Sequence, residues 1–317
     1  MSDLALAVYA SETGTHLVRP PADRRYLAHA RTFDTRAYEQ RLAAAGFRFL
    51  ARSAHAFPSL LHAIHDPPPG LFLRGRAEPD LLSRPAVAIV GARACSGYGA
   101  SVARMLGREL ARAGLLVVSG LARGVDAEAH RGALEAGEAT VAVLGCGIDR
   151  DYPAAHAQLA RRIAETGLIV SEYAPGVEPA PWRFPARNRI VAGLCAAAVV
   201  VEARERSGAL ITADLALEEG REVFAVPGEI GSALSAGTNG LLKLGAAPLT
   251  TPADVLASFG LEEAGRPVDD GLLDLLPATA DELVRRTGMT AAEVARMLVE
   301  FELAGAAAAH DGVYRVR

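Results

Sequence analysis

Between residues 85 and about 260, six short apolar runs alternate with stretches of helical periodicity. The runs are AVAIVGA (86–92), LLVVSG (115–120), TVAVLG (140–145), LIVSE (168–172), AAVVVEA (197–203) and EVFAVPG (222–228). SVARMLGRELARAG and GALITADLALEEG are examples of the helical stretches between them. Strands that are apolar throughout must be covered on both faces, and strand–helix alternation favours parallel pairing. The expected fold class is therefore α/β, a doubly wound, mostly parallel sheet over residues 71–260. In such sheets ligands bind beyond the carboxyl ends of the strands, so the chemistry is expected just after each run.

Two smaller regions flank this one. Residues 1–70 carry mixed signals, with an amphipathic stretch at Asp34 to Ala45 and prolines at Pro20-Pro21 and Pro67 to Pro69. A small helical N-terminal region closed by the DPPPG turn is expected. Residues 261–269, acidic with Gly and Pro, read as a linker. Beyond it, Thr279-Ala-Asp-Glu282 and Thr290-Ala-Ala-Glu293 match the capping-box pattern, with Gly288 between them. The alternating end AHDGVYRVR completes the helix, helix, turn, helix, ribbon order of a winged helix over residues 270–317.

Charge narrows the function. The chain holds 33 basic and 37 acidic residues, a net charge of -4, so any surface for a polyanion must be a local patch. Such a patch stands at Trp182 to Arg189, within a stretch from Pro179 to Val201 that has no carboxylate. Cys95, Cys146 and Cys195 form no C-x-x-C pair, which argues against a disulfide framework and a thiolate metal site. The N-terminus lacks a signal-peptide pattern and no run is long and apolar enough to span a membrane, so a soluble cytoplasmic protein is expected.

Several chemistries fail on spacing. A P-loop needs Gly-Lys-Ser/Thr, and the chain's one lysine, Lys243, is followed by Leu244. The glycines after the first run, Gly91, Gly97 and Gly99, do not fit a dinucleotide fingerprint. His62 and His65 read as surface histidines, no zinc constellation or G-x-S-x-G elbow appears, and no cofactor or metal is expected.

What remains is a row of strand-end loops rich in small residues, hydroxyls and arginine, among them GARACSGYGAS, SGLARGVD, WRFPARNR and RERSGALITA. Small residues let backbone N–H groups approach an anion, and arginine adds bidentate phosphate contacts. Any one loop is ordinary turn chemistry. Arg187 and Arg189 also fit helix-surface charges paired with Glu202 or Glu205, and Phe184 fits a core side chain. Taken together, Arg93, Arg123, Arg183, Arg187 and Arg189 on one rim indicate an anion groove longer than one mononucleotide needs. Phe184 reads as a base-stacking platform, with Pro185 biasing it to an extended conformation.

The ordered motifs from Gly91 to Gly99, Ser119 to Asp126, Phe184 to Gly193, Ser207 to Ala213, Gly220 to Gly228 and Gly237 to Leu241 resemble the DNA-processing protein A family (DprA, or Smf). The resemblance covers about residues 66–256, and the tail is similar to that family's winged helix. Many members carry a longer helical domain at the N-terminus. The resemblance implies a Rossmann-like, non-enzymatic protein that binds single-stranded DNA, forms a homodimer and loads the RecA recombinase during natural transformation. The single-strand site is expected at Gly91, Arg93, Ser96, Arg123, Arg183, Phe184, Arg187, Asn188, Arg189, Ser207, Gly208 and Lys243. Leu241, Leu242 and Leu244 are expected at the dimer interface.

Two alternatives fit the residues less well. Phosphoribohydrolase-like nucleotide enzymes carry PGG-x-GT-x-x-E, whereas PGEIGSALSAGTNG has Asn239 and no glutamate after Gly237-Thr238. A winged-helix regulator needs a basic recognition helix, and TAAEVARMLVEFELAG holds one arginine and three glutamates.

Overall fold

A computed structural model describes residues 2–15, 17–261, 270–273, 275–303, 305–310 and 312–316. These fall into two compact units, one up to Leu261 and one from Asp270 onwards. Apart from Leu261, the expected linker lies outside the described residues.

The first unit begins with α1 (Asp3–Thr13), α2 (Arg24–Thr32), α3 (Thr35–Ala44), β1 (Phe47–Ala51), the short α4 (Ser59–His62) and β2 (Gly70–Arg74). The α/β series follows: β3 (Ala86–Val90), α5 (Gly97–Arg112), β4 (Leu116–Ser119), α6 (Val125–Glu135), β5 (Thr140–Val143), α7 (Ala157–Thr166), β6 (Leu168–Ser171), α8 (Arg183–Gly193), β7 (Ala197–Val200), α9 (Gly208–Glu218), β8 (Glu222–Ala225), α10 (Ala236–Lys243), β9 (Ala247–Pro248) and α11 (Pro252–Ser258). All six expected strands form, and they lie side by side in parallel in the order β6-β5-β4-β3-β7-β8. The fold class is the mostly parallel α/β sheet expected.

The runs are apolar throughout because both faces are covered. One face packs Leu61 of α4, Ile190 of α8 and Ala213 of α9 against Val90, Val118 and Val143. The other packs Leu106 of α5 and Ala129 of α6 against Val87, Ile89 and Val117. Small residues set how closely α5 and α6 approach: a Cβ on Gly132 would lie 2.1 Å from the Arg104 carbonyl oxygen.

The N-terminal region is not helical alone. β1 and β2 pair antiparallel, Phe47 with Arg74 and Ala51 with Gly70, and β2 adds antiparallel to β6. This segment therefore adds two strands to the six, and β9 beside β8 makes the sheet nine-stranded. The helices α1 and α3 pack Leu4, Ala7, Val8 and Leu42 against Leu144, Cys146 and Ile148.

The second unit is a winged helix. It contains α12 (Asp270–Leu273), β10 (Ala278–Thr279), α13 (Ala280–Thr287), α14 (Ala291–Leu303), β11 (Ala307–His310) and β12 (Val313–Val316). Thr279 and Glu282 close the capping box of α13, and Gly288 ends that helix at φ 70°. Thr290 and Glu293 form the same reciprocal pair before α14. Among the described residues, no helix is long and apolar enough to cross a membrane.

Candidate nucleic-acid interface

Order in the sheet places the site. The strands that follow β3 in sequence, β4 and β5, run outward on one side of it, while β7 and β8 lie on the other. The β3–β7 boundary is the switch point at which an open α/β sheet leaves a crevice. A cleft of about 430 Å³ opens there. The loop after β3 supplies Gly91 and Arg93, and α8 supplies Phe184, Arg187 and Asn188. The loop after β7 adds Arg204, Arg206 and Ser207, and leads into Gly208 at the start of α9. A second cleft of about 230 Å³ shares Arg93, Phe184 and Arg187 and adds Arg123 and Tyr152.

The rim is cationic. Arg93, Arg123, Arg204 and Arg206 are all exposed. Among the described residues none of the four has a carboxylate within 4.0 Å. Their charges face water, where phosphate can reach them. At the junction of the two clefts the Phe184 ring stacks on Tyr152, with centroids 5.2 Å apart and planes at 25°. The Arg93 guanidinium lies 5.5 Å from the Phe184 centroid. Gly145 leaves room for this arrangement, since a Cβ there would come within 2.9 Å of the Phe184 ring.

Arg187 belongs beneath the cleft and not on its rim. It is 4 % exposed. Its Nη1 donates to the carbonyl of Gly120 at 2.9 Å and to that of Val143, and its Nε donates to Asn188 Oδ1 at 3.3 Å. Asp126, at the start of α6, accepts from the backbone N–H groups of Gly120 and Ala122 at 3.1 and 3.2 Å. Burial pushes the Asp126 carboxyl above the usual carboxylate range, and the nearby Arg187 opposes this. Arg187 and Asp126 thus tie the ends of β4 and β5 to α6 and α8. Between those amides stands Leu121 in the left-handed region at φ 58°, its carbonyl bonded to His156 Nδ1 at 2.9 Å.

Four expected site residues do not line either cleft. Arg189, 8 % exposed, donates to Asp66 at 2.9 Å and to Glu172 at 2.7 Å, on a different side of α8 from Arg187. Arg189 is thus an ion-paired helix charge, the alternative the sequence left open, with Asp66 and Glu172 as partners in place of Glu202 or Glu205. Ser96 caps α5, accepting from the Gly99 N–H at 3.0 Å and donating to Glu202. Arg183 lies over the rings of Tyr173 and Trp182, at 5.2 and 4.8 Å, and donates to the Glu178 carbonyl. Lys243, the last residue of α10, is exposed outside both clefts. Phe184 is helical and not extended, because Pro185 sits in the first turn of α8, where a missing N–H costs no intrahelical bond. Sequence reasoning named the loop RERSGALITA but did not place Arg204 or Arg206 in the site, and it passed over Tyr152 and Asp126 as site residues.

Fold and site together define a class: an α/β protein with an arginine-rimmed cleft at the switch point of its sheet, followed by a winged helix. The chain belongs to the DNA recombination-mediator protein A family, whose model matches residues 48–260, and the DprA winged helix domain matches residues 268–313. The DNA processing protein DprA of Streptococcus pneumoniae is 48 % identical over 203 residues, 64 % of this chain and 71 % of that protein. The protein Smf of Escherichia coli is 40 % identical over 279 residues, 81 % of this chain and 74 % of that protein. Among solved structures, DprA from S. pneumoniae superposes with a TM-score of 0.70 at 37 % identity, covering 83 % of this chain and 94 % of that one. DprA from Helicobacter pylori, solved to describe its single-stranded DNA binding mode, gives a TM-score of 0.61 at 32 % identity over 67 % of this chain and 95 % of that one.

Proposed function

We propose that this DNA recombination mediator holds single-stranded DNA along the two clefts and, as a homodimer, protects incoming strands and loads RecA onto them during natural transformation. The observation that carries the DNA reading is the set of four exposed arginines without carboxylate partners among the described residues, around the Phe184–Tyr152 pair. Spaced cations bind successive phosphates, and aromatic faces accept any base, which suits a strand of arbitrary sequence. The H. pylori relative supports the same substrate.

The role is mediation and not catalysis. The carboxylate lining the larger cleft, Asp126, has one oxygen engaged by two backbone amides. Release of free base from a nucleoside monophosphate would favour the phosphoribohydrolase alternative instead. Loading is tested by RecA-driven strand exchange on DNA already coated with a single-strand-binding protein. Addition of this protein is expected to remove the lag, and an unchanged lag would contradict the loading role.

Of the three leucines expected at a dimer interface, Leu241 is core at 5 % exposure and Leu242 packs partly against that core. Leu244, 86 % exposed, is the one available to a second copy. A single-chain mass by light scattering at micromolar concentration would contradict the dimer.

A further inference from the structure

Six arginines between residues 19 and 41 take no part in the clefts: Arg19, Arg24, Arg25, Arg31, Arg36 and Arg41. All six are exposed. Among the described residues none has a carboxylate within 4.0 Å. Six arginines against the three acids Asp23, Asp34 and Glu39 leave this stretch at +3, so the rest of a chain of net charge -4 stands at -7.

Local structure accounts for two of the arginines only: Arg31 and Arg41 lie in the last turns of α2 and α3, where the dipole favours a cation, and the Arg41 guanidinium lies 4.8 Å from the Tyr38 ring centroid. Asp23 caps α2 by accepting the Tyr26 N–H at 2.7 Å, and Asp34 caps α3 by accepting the Ala37 N–H at 2.9 Å. Those carboxylates face backbone donors and not the arginine heads. Arg24, Arg25 and Arg36 lie in the first turns of α2 and α3, and neither first turn contains an acid. A helix N-terminus is the positive end of its dipole, so cations there oppose the helix they belong to. Arg24, Leu27, Ala28 and Arg31 share the exposed face of α2, while Tyr26 is buried behind it.

Of these helices α3 meets the segments that wall the smaller cleft directly, and α2 reaches them through α1, where His29 bonds to the Ala5 carbonyl at 3.1 Å. Leu42 and Val8 share a core with Leu144, which lines that cleft. Ser11 Oγ accepts from the Ala174 N–H at 3.0 Å. Gly14, which ends α1, faces the ring of Trp182, since a Cβ there would meet it at 3.7 Å. Trp182 immediately precedes Arg183 and Phe184.

We propose that the α2–α3 surface is a second polyphosphate-binding site, on which a single strand continues after it leaves the cleft. This rests on the reading that the cleft holds single-stranded DNA. The test is a full-length Arg24→Gln/Arg25→Gln/Arg31→Gln/Arg36→Gln variant, compared with Arg93→Ala on oligo-dT of about 6 and about 40 nucleotides across salt. Single-strand sites span roughly 4–16 nucleotides per module, so the shorter probe is confined to the cleft. The quadruple variant is expected to bind the short probe like the parent. Its affinity for the long probe should fall about tenfold or more at low salt, with a log–log salt slope smaller by about 0.7 for each phosphate no longer neutralised. Unchanged binding of the long probe would overturn the proposal, and if Arg93→Ala weakened both lengths the cleft reading would still stand. Equal losses on both probes would also overturn it, because the helices would then act through the cleft's own structure. Loss on the long probe in the quadruple variant, with Arg93→Ala unchanged, would support the second surface and remove the cleft.

Discussion

Arg187→Ala lowers the stability of the first unit by about 3 kcal/mol, more than any single substitution on the cleft rim. The guanidinium satisfies the carbonyls of Gly120 and Val143 and stands in the field of buried Asp126. Its removal leaves buried acceptors without a donor and a buried carboxyl without its counter-charge. A Gly120 side chain could not fill the space in the parent, since a Cβ there would lie 2.4 Å from Arg187 Nη2. Arg187→Lys is expected to restore part of the loss, because both carbonyls accept from one nitrogen, Nη1, while the Nε bond to Asn188 is not replaced. Urea denaturation and thermal melting measure the loss. A full-stability Arg187→Ala protein with weakened DNA binding and a reduced salt slope would return Arg187 to the rim as a phosphate contact.

The opposite signature is expected for Arg93→Gln/Arg204→Gln/Arg206→Gln. These side chains are exposed and without carboxylate partners among the described residues, so melting should hardly change. Binding should suffer instead. A hydrogen bond to a charged group contributes about 1.5–3 kcal/mol, so removing three arginine–phosphate bonds reduces oligo-dT affinity by roughly 10²–10⁴-fold at low salt after allowing for non-additivity. The salt slope should fall by about 2. Fluorescence anisotropy of labelled oligo-dT at several salt concentrations reads both quantities. Parent affinity and slope in the folded variant would take the phosphates off this rim.

The parallel core was legible because continuous apolar runs such as AVAIV and AAVV have no other way to be satisfied than between two helical layers. The winged helix was legible from two capping boxes and a left-handed glycine, all local signals. The β1–β2 pair was not. Arg48 and Arg74 punctuate those strands, and the paired ends Phe47 and Arg74 lie more than twenty positions apart across a proline-rich turn.

Within the site, sequence reported charge but not burial. Residues i and i+2 of a helix point in different directions, so Arg187 and Arg189 had to part company. Their partners, at Gly120, Val143, Asp66 and Glu172, are set by the fold and distant in the chain. The missed arginines have the converse explanation. Arg204 and Arg206 stand on either side of Glu205 in the sequence, yet both arginines line the cleft and Glu205 does not. Tyr152 meets Phe184 across thirty-two residues of sequence, a contact no local pattern announces.

The cleft is proposed as a single-strand site. Titration of the parent protein with oligo-dT and with blunt duplex of equal length, at several salt concentrations, addresses it directly. The exposed rim of arginines and the Phe184–Tyr152 stack predict tighter binding of the single strand, with affinity falling linearly in log–log form as salt rises. Equal affinity for blunt duplex at moderate salt, or a single-strand affinity indifferent to salt, would contradict the account.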